Sequence, residues 1–190
     1  IAECGGAPTM RSVYSGYKAD GSRFSQILFA SGGMGAGPIA DGLPTTAFPT
    51  NAGAGSVEAF ESIAPLIVWK KELRQDSGGA GKFRGGLGQD CEVEVRSNGD
   101  IQLSVFSDRR KYPAEGFLGG KPVATTDIEF ADGVKMHPKS RTVVKPGTRL
   151  ILRYAGGGGY GDPSERDPQA LQDDIKNGYV SRAAAEADYP

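Results

Sequence analysis

The sequence predicts a mainly β chain of the α+β class: an antiparallel sandwich or open-barrel sheet with glycine-rich loops and a short C-terminal two-helix tail. Three observations lead there. Apolar and polar residues alternate in short runs between residues 91 and 154, the period of a half-buried strand. Glycine supplies 29 of the 190 residues, about double its usual ~7% share, and clusters between those runs. Beyond residue 163 the pattern changes to helix caps and alanines.

The elements follow in chain order. Phe24, Ile27, Leu28 and Phe29 predict a buried strand over 23–30, after which the glycines of 31–38 form a compact loop closed by Asp41-Gly42. Residues 43–55 are rich in Pro, Thr, Ala, Gly and Asn without periodicity, so an irregular surface connector is expected. Ser56 opens a short turn or helix carrying Glu58 and Glu61, and 64–73 reads as a strand. Cys91, Val93 and Val95 alternate with Glu92, Glu94 and Arg96; Ser97-Asn98-Gly99-Asp100 turns the chain; Ile101, Leu103 and Val105 alternate again. That pattern predicts a β-hairpin. A second hairpin is expected from 126–130 and 134–136 across Asp132-Gly133, and Pro146-Gly147 separates strands over 141–144 and 148–154. Asp167 is an N-cap with Pro168 at the first helical position and Gly178 as a stop, predicting a helix over 168–176; Ser181 caps a second one ending at Asp188. The organisation expected is a glycine-rich loop region with buried strands over 1–70, an antiparallel β domain over 71–163 and a helical tail over 164–190.

Composition narrows function. A formal net charge of −1 and a pI near 5.9 give no footprint for nucleic acid or anionic membrane. The longest apolar run, residues 63–69, is far short of a ~20-residue span and holds Pro65. Cys4 and Cys91 have no partner spacing for a disulfide framework or zinc knuckle, so a reducing, cytoplasmic setting is the expectation. The opening Ile1-Ala2-Glu3-Cys4 lacks an initiator methionine and the order of a signal peptide, and reads as the continuation of a longer polypeptide.

The stretch from Glu72 to Gly88 carries the strongest signal. It sets Gly78, Gly79, Gly81, Gly85, Gly86 and Gly88 among Arg74, Asp76, Ser77, Lys82 and Arg84. A phosphate loop is excluded by spacing: Asp76 stands where the first glycine belongs and Phe83 where a hydroxyl residue belongs. Gly156, Gly157, Gly158, Gly159 and Gly161 satisfy the dinucleotide fingerprint formally, but Asp162-Pro163 follows where a helix should open; a tight loop admitting another backbone or a ligand is the better reading. His137 is the only histidine, and Ser77 lacks a nucleophile elbow, so neither a Ser-His-Asp hydrolase nor an ordinary zinc site can be assembled. No spacing compels Asp41, Glu58, Glu61 and Asp76 to hold a harder cation. No catalytic or metal-ligating residue is assigned. Candidates for substrate or subunit contact are Asp41, Glu61, Arg74, Asp76, Ser77, Lys82, Arg84 and Arg109, bordered by Asp108. Gly32 and Gly33 join the later glycines as structural loop residues.

Several long motifs recur in one order: 73–86, Glu58 and Glu61 before Ala64-Pro65-Leu66, Gly116-Phe117-Leu118-Gly119-Gly120, 156–163 with Glu165-Arg166-Asp167-Pro168, and Asn177-Gly178-Tyr179-Val180-Ser181. This chain resembles the hydantoinase B (N-methylhydantoinase β, oxoprolinase-type) subunit over almost its whole length, matching about the C-terminal third of such a subunit. The resemblance implies an ATP-dependent hydrolase of cyclic amides. An actin-like A-type subunit would use ATP and magnesium to phosphorylate a lactam or imide oxygen, and the B-type half would handle the activated intermediate. It also implies a divalent metal in the N-terminal remainder of the B subunit and no cofactor bound by this segment. The ketone carboxylases of acetone and acetophenone type use related chemistry, and a non-catalytic scaffold docking the A-type subunit is the reading of another class.

Overall fold

The computed structural model describes residues 1–5, 10–46 and 55–190. Eight strands form two antiparallel four-stranded sheets. Strands β1 (Met10–Tyr17), β2 (Arg23–Ala30), β5 (Ile101–Phe106) and β7 (Lys139–Val144) lie in the order β2-β1-β5-β7. Strands β3 (Leu66–Leu73), β4 (Gln89–Val95), β6 (Asp127–Phe130) and β8 (Arg149–Arg153) lie in the order β3-β4-β8-β6. Their inner faces meet in one core, with Tyr14, Leu28, Leu103, Val93, Ile128 and Leu152 from both sheets in contact as a single cluster. The mainly β, α+β expectation holds as an open sandwich; neither sheet closes into a barrel.

The first expected hairpin does not form. Strands β4 and β5 have the predicted inward residues, yet β4 pairs with β3 and β8 while β5 pairs with β1 and β7. Alternation reports only that each strand has one buried face. Two such faces can lie side by side in one sheet or look at each other across a core roughly 10 Å thick, which five residues at ~3.3 Å each can cross. Ser97 holds that crossing by donating its hydroxyl to the Gly99 carbonyl at 2.6 Å. Pro146-Gly147 makes a second crossing, from β7 to β8, with Gly147 at φ +80.

The second expected hairpin is reduced to a turn and one bridge, Glu129 to Lys135. Gly133 has φ +86, as the turn requires, but 134–136 forms no full strand because the chain leaves for β7 in the opposite sheet. In β2, Phe24 and Leu28 are buried, whereas Ile27 and Phe29 are 40% and 38% exposed, since β2 is an edge strand with one wet face. The boundary drawn at residue 70 falls inside β3, and β1 and β2 complete a sheet with β5 and β7.

Helix α1 (Val57–Ile63) is capped by Ser56, whose side chain accepts from the Ala59 amide. Its one buried residue, Phe60, meets Tyr14 edge-on at 5.9 Å. The tail matches its sequence signals. Asp162 caps a 3-10 turn (Pro163–Glu165), Asp167 caps α2 (Pro168–Lys176), and Ser181 caps α3 (Arg182–Asp188); Gly178 has φ +74 at the stop. Of the expected connector over 43–55, residues 47–54 lie outside the described residues. No described helix is long and apolar enough to cross a membrane.

Candidate functional site

At one end of the sandwich the glycine loops pack against one another. Their centre is Gly156–Gly159, and each successive residue bonds to a different neighbour. The amides of Gly157, Gly158 and Gly159 donate to the carbonyls of Gly86, Glu3 and Lys121 at 2.8, 2.8 and 3.1 Å. Their own carbonyls accept from Gly79, Ala36 and Phe117, each at 2.9 Å. A Cβ added at Gly156 would strike Ser77, at Gly157 Met34, at Gly158 Glu115, and at Gly159 Ala80, so the 77–80 segment is met again after three residues. A period of three, not two, marks an extended helix of polyproline II type. The sequence folds this way because in a bundle of such helices the central chain has backbone on every side and no direction in which a side chain fits.

The loops therefore admit another backbone, their own, as the tight-loop reading of 156–161 anticipates. The amides of Gly79, Gly85, Gly86, Gly157 and Gly158 are consumed by carbonyls of the same chain, which leaves no anion cradle among them. Gly32 accepts from Thr46, Gly33 donates to Ala155, Gly78 packs on Gly85, Gly81 on Tyr160, and Gly161 turns the chain at φ +74.

Beside the bundle lies a knot of four charges from four segments. Arg84 binds Asp174 with two nitrogens, at 3.0 and 3.2 Å; Arg166 grips Asp41 at 3.0 and 2.9 Å and reaches Asp174 at 2.6 Å. The Arg84 amide donates to Asp41 at 2.7 Å. Both arginines are buried, 6% and 7% exposed, with Tyr179 and Tyr189 under their guanidinium groups at 5.5 and 5.7 Å. Burial raises the Asp41 pKa, but the hydrogen bond and charge of Arg166 with the charge of Arg84 outweigh it and hold the carboxyl below its ordinary 3.8. Burial pushes the Tyr189 phenol up to about 12.

A depressed folded pKa means the unfolded chain binds the proton more readily, so this contribution is complete above pH 3.8 and is lost as pH falls through the folded value. Denaturant titrations across pH 6 to about 2.5 should therefore show a stability loss starting near pH 4 that is smaller in Asp41→Asn. An equal slope in the variant would show that Asp41 does not carry it.

A model of hydantoinase B/oxoprolinase matches residues 1–163. The chain belongs to the hydantoinase B/oxoprolinase family. Caprolactamase subunit beta of Pseudomonas jessenii is 34% identical over 168 residues, covering 83% of this chain and 29% of that protein. Acetone carboxylase alpha subunit of Xanthobacter autotrophicus is 28% identical over 190 residues, covering 80% and 24%. The crystal structure of ATP-dependent caprolactamase from Pseudomonas jessenii has the same fold, with a TM-score of 0.79 at 24% identity over 99% of this chain and 34% of that one. The chain thus spans about a quarter to a third of the length of these relatives.

In this member of the family the candidate contact residues fall into two groups. Asp41 and Arg84 form the knot just described. The others each tie one segment to another. Arg74 donates to the carbonyls of Thr125 and Tyr154 at 2.8 and 3.3 Å, and Asp76, at φ +57, accepts from the Ser181 amide at 2.7 Å. Ser77, fully buried, donates to Arg74 and accepts from the Gly88 amide. Lys82 pairs with Glu165 at 3.0 Å, Arg109 with Glu3 at 2.8 Å, and Asp108 with Lys139 at 2.6 Å; Glu61 accepts from the Val68 amide at 2.7 Å.

Sequence reasoning missed Arg166 and Asp174, which complete the knot. A signal existed: Asp174 stands on the face of α2 that carries Leu171 and Ile175, where a lone carboxylate implies a buried cation. Among the described residues no three His, Cys, Asp or Glu side chains come together, so they offer no ligand set for a divalent metal. One exposed turn stands apart. Gly120 donates back to Phe117 at 3.1 Å around Leu118 and Gly119, with φ +50 and +95, and Leu118 is 65% exposed. A bulky residue at that position of a type I′ turn is strained. Leu118→Asn should raise stability by about 1 kcal/mol in urea unfolding; a loss would mean that Leu118 makes contacts that outweigh the strain.

Proposed function

We propose that this chain is part of the B-type subunit of an ATP-dependent cyclic amide hydrolase acting in the cytoplasm. Its substrate is a hydantoin, lactam or oxoproline-like ring whose carbonyl oxygen is first phosphorylated by an actin-like A-type subunit holding ATP and magnesium. The observation that carries the reading is the 34% identity to a subunit named caprolactamase, against 28% to one named acetone carboxylase. Resonance makes a ring amide a poor electrophile. Transfer of the terminal phosphoryl group of ATP to the amide oxygen releases ADP and leaves a carbon open to water. Attack by water, cleavage of the ring C–N bond with proton transfer to nitrogen, and departure of phosphate then yield the ring-opened acid: an amino acid from a lactam or oxoproline, an N-carbamoyl amino acid from a hydantoin. A divalent metal assisting the water belongs, on this reading, to the remainder of the B subunit, because the described residues do not fit one.

The role of this chain within that enzyme is to hold loops in place. Arg84, Asp41 and Ser77 are bound within the chain, and the glycine amides bond to one another. Such a unit positions its neighbours; it does not itself move protons. The test is reconstitution of the chain with the remainder of the B subunit and an A-type subunit, reading ADP release with caprolactam, hydantoin and 5-oxoproline. Release stimulated by one of these rings with production of its ring-opened acid is the expected result. Release that needs acetone or acetophenone together with bicarbonate would replace the hydrolase reading with the carboxylase one.

A further inference from the structure

The two outer sheet faces are built differently. On the β3-β4-β8-β6 sheet, cations and carboxylates alternate in closed pairs: Arg149 binds Glu92 and Glu94 at 2.8 and 3.1 Å, Arg153 binds Glu129 at 2.7 Å, and Lys70 binds Glu72 at 2.8 Å. This face is charge-balanced, and its one large exposed aromatic, Trp69, donates to Glu94 at 2.7 Å and lies under Arg149. On the β2-β1-β5-β7 sheet the outward positions, all of them described, hold no Asp or Glu. One row across the strands reads Phe29, Arg11, Phe106 and Lys139, and the next reads Ile27, Val13, Ser104 and Arg141. Phe29, Ile27 and Phe106 are exposed, and Arg11 lies 5.1 Å over the Phe106 ring. Arg11, Arg23 and Arg141 have no carboxylate partner among the described residues, while Lys139 at the edge pairs with Asp108.

We propose that this outer face is the docking surface for the remaining two thirds of the B-type subunit, a proposal that rests on the reading above. Three arguments converge on that occupant. Aromatic and arginine side chains without acids are the composition of protein interface cores. Arginines lacking counter-charges call for a surface that brings carboxylates to them. Relatives with this fold devote only 29% to 34% of their length to it, so most of each relative's polypeptide has to pack outside it. A nucleic acid or lipid headgroup fits less well, because the cations are separated by apolar side chains and the chain's net charge is −1.

The test places the photo-crosslinker p-benzoylphenylalanine at Phe29, at Phe106 and, as the opposite-face control, at Trp69 in the protein expressed in its source cells. The expected result is crosslinking at Phe29 and Phe106 about tenfold above Trp69, to peptides of a hydantoinase B polypeptide outside the matched region. Crosslinks to a second copy of this chain, to lipid, to RNA or to an unrelated protein would overturn the proposal, as would equal yields from both faces. Phe29→Glu should lower the Phe106 crosslink to that region about tenfold, and an unchanged yield would also overturn it. The purified complex is then assayed for ring-stimulated ADP release. A complex crosslinked as expected but silent in that assay would sink the hydrolase reading and leave the docking surface standing; an active complex crosslinked only through Trp69 would do the reverse.

Discussion

Gly85→Ala is expected to destabilise the protein by more than about 4 kcal/mol, in the range reserved for outright structural conflict. A Cβ at this position would meet the Gly157 carbonyl well inside the 3.0 Å that real Cβ atoms do not cross. The obstruction is backbone, and that backbone is the centre of the bundle: Gly157 is itself bonded to Gly86 and Gly79, so it cannot retreat without breaking both. An ordinary overpacked core side chain relaxes by changing rotamer, an escape that carbonyls in a hydrogen-bonded bundle lack. Gly99→Ala is the matched control. It sits in the turn between β4 and β5 with nothing within 4 Å and no positive φ. That substitution should be neutral or stabilising by about 0.4–1 kcal/mol through the unfolded chain. Equilibrium urea unfolding of the two variants decides the matter: a Gly85→Ala midpoint close to that of Gly99→Ala would show that the bundle is not packed as described.

Asp174→Ala has the second largest expected effect, about 3–5 kcal/mol. Asp174 is the shared partner of Arg84 and Arg166, at 3.0 and 2.6 Å, and its side chain is 8% exposed. Without it the two buried guanidinium groups keep backbone carbonyls of Gly85 and Lys82 but have Asp41, with its side chain 33% exposed, as their one counter-charge among the described residues. The loss comes less from the attraction forgone than from the charge left without a partner in a poorly solvated place. A double-mutant cycle separates the two. Asp174→Ala combined with Arg84→Met should cost less than the single changes added together, because the second change removes part of the stranded charge. Additive effects would mean that the pair is not coupled. Limited proteolysis supplies an independent readout: α2 is joined to the bundle through Asp174, so cleavage around 162–167 should accelerate in Asp174→Ala.

Secondary structure was legible from the residues wherever the signal was local. Asp167, Pro168, Gly178 and Ser181 bound the two tail helices as expected, because a cap is a hydrogen bond between neighbours in sequence and needs no knowledge of the rest of the chain. Strands β4 and β5 were legible for the same reason, through the alternation of Cys91, Val93 and Val95 and of Ile101, Leu103 and Val105. Their partners were not, since the same alternation serves a hairpin and a crossing between sheets.

The family motifs were legible as motifs, and the match over residues 1–163 bears out the resemblance drawn from them. What those motif residues touch was not readable. Arg84 looks like a group offered to a ligand until Asp174, ninety residues later, is seen to hold it. The glycines look like a cradle until their amides are traced to one another.

The amino-acid order alone thus determined both tail helices, most of the strands though not β1, the glycine-dependent tight packing and the family, because each is written in spacings of a few residues or in motifs that can be read without contacts. Only the tertiary structure decided which sheet each strand joins, that the glycine loops are one another's ligand, and that four charges from distant segments neutralise each other. Those outcomes depend on which surfaces meet across the core, and a local pattern carries no record of its distant partner.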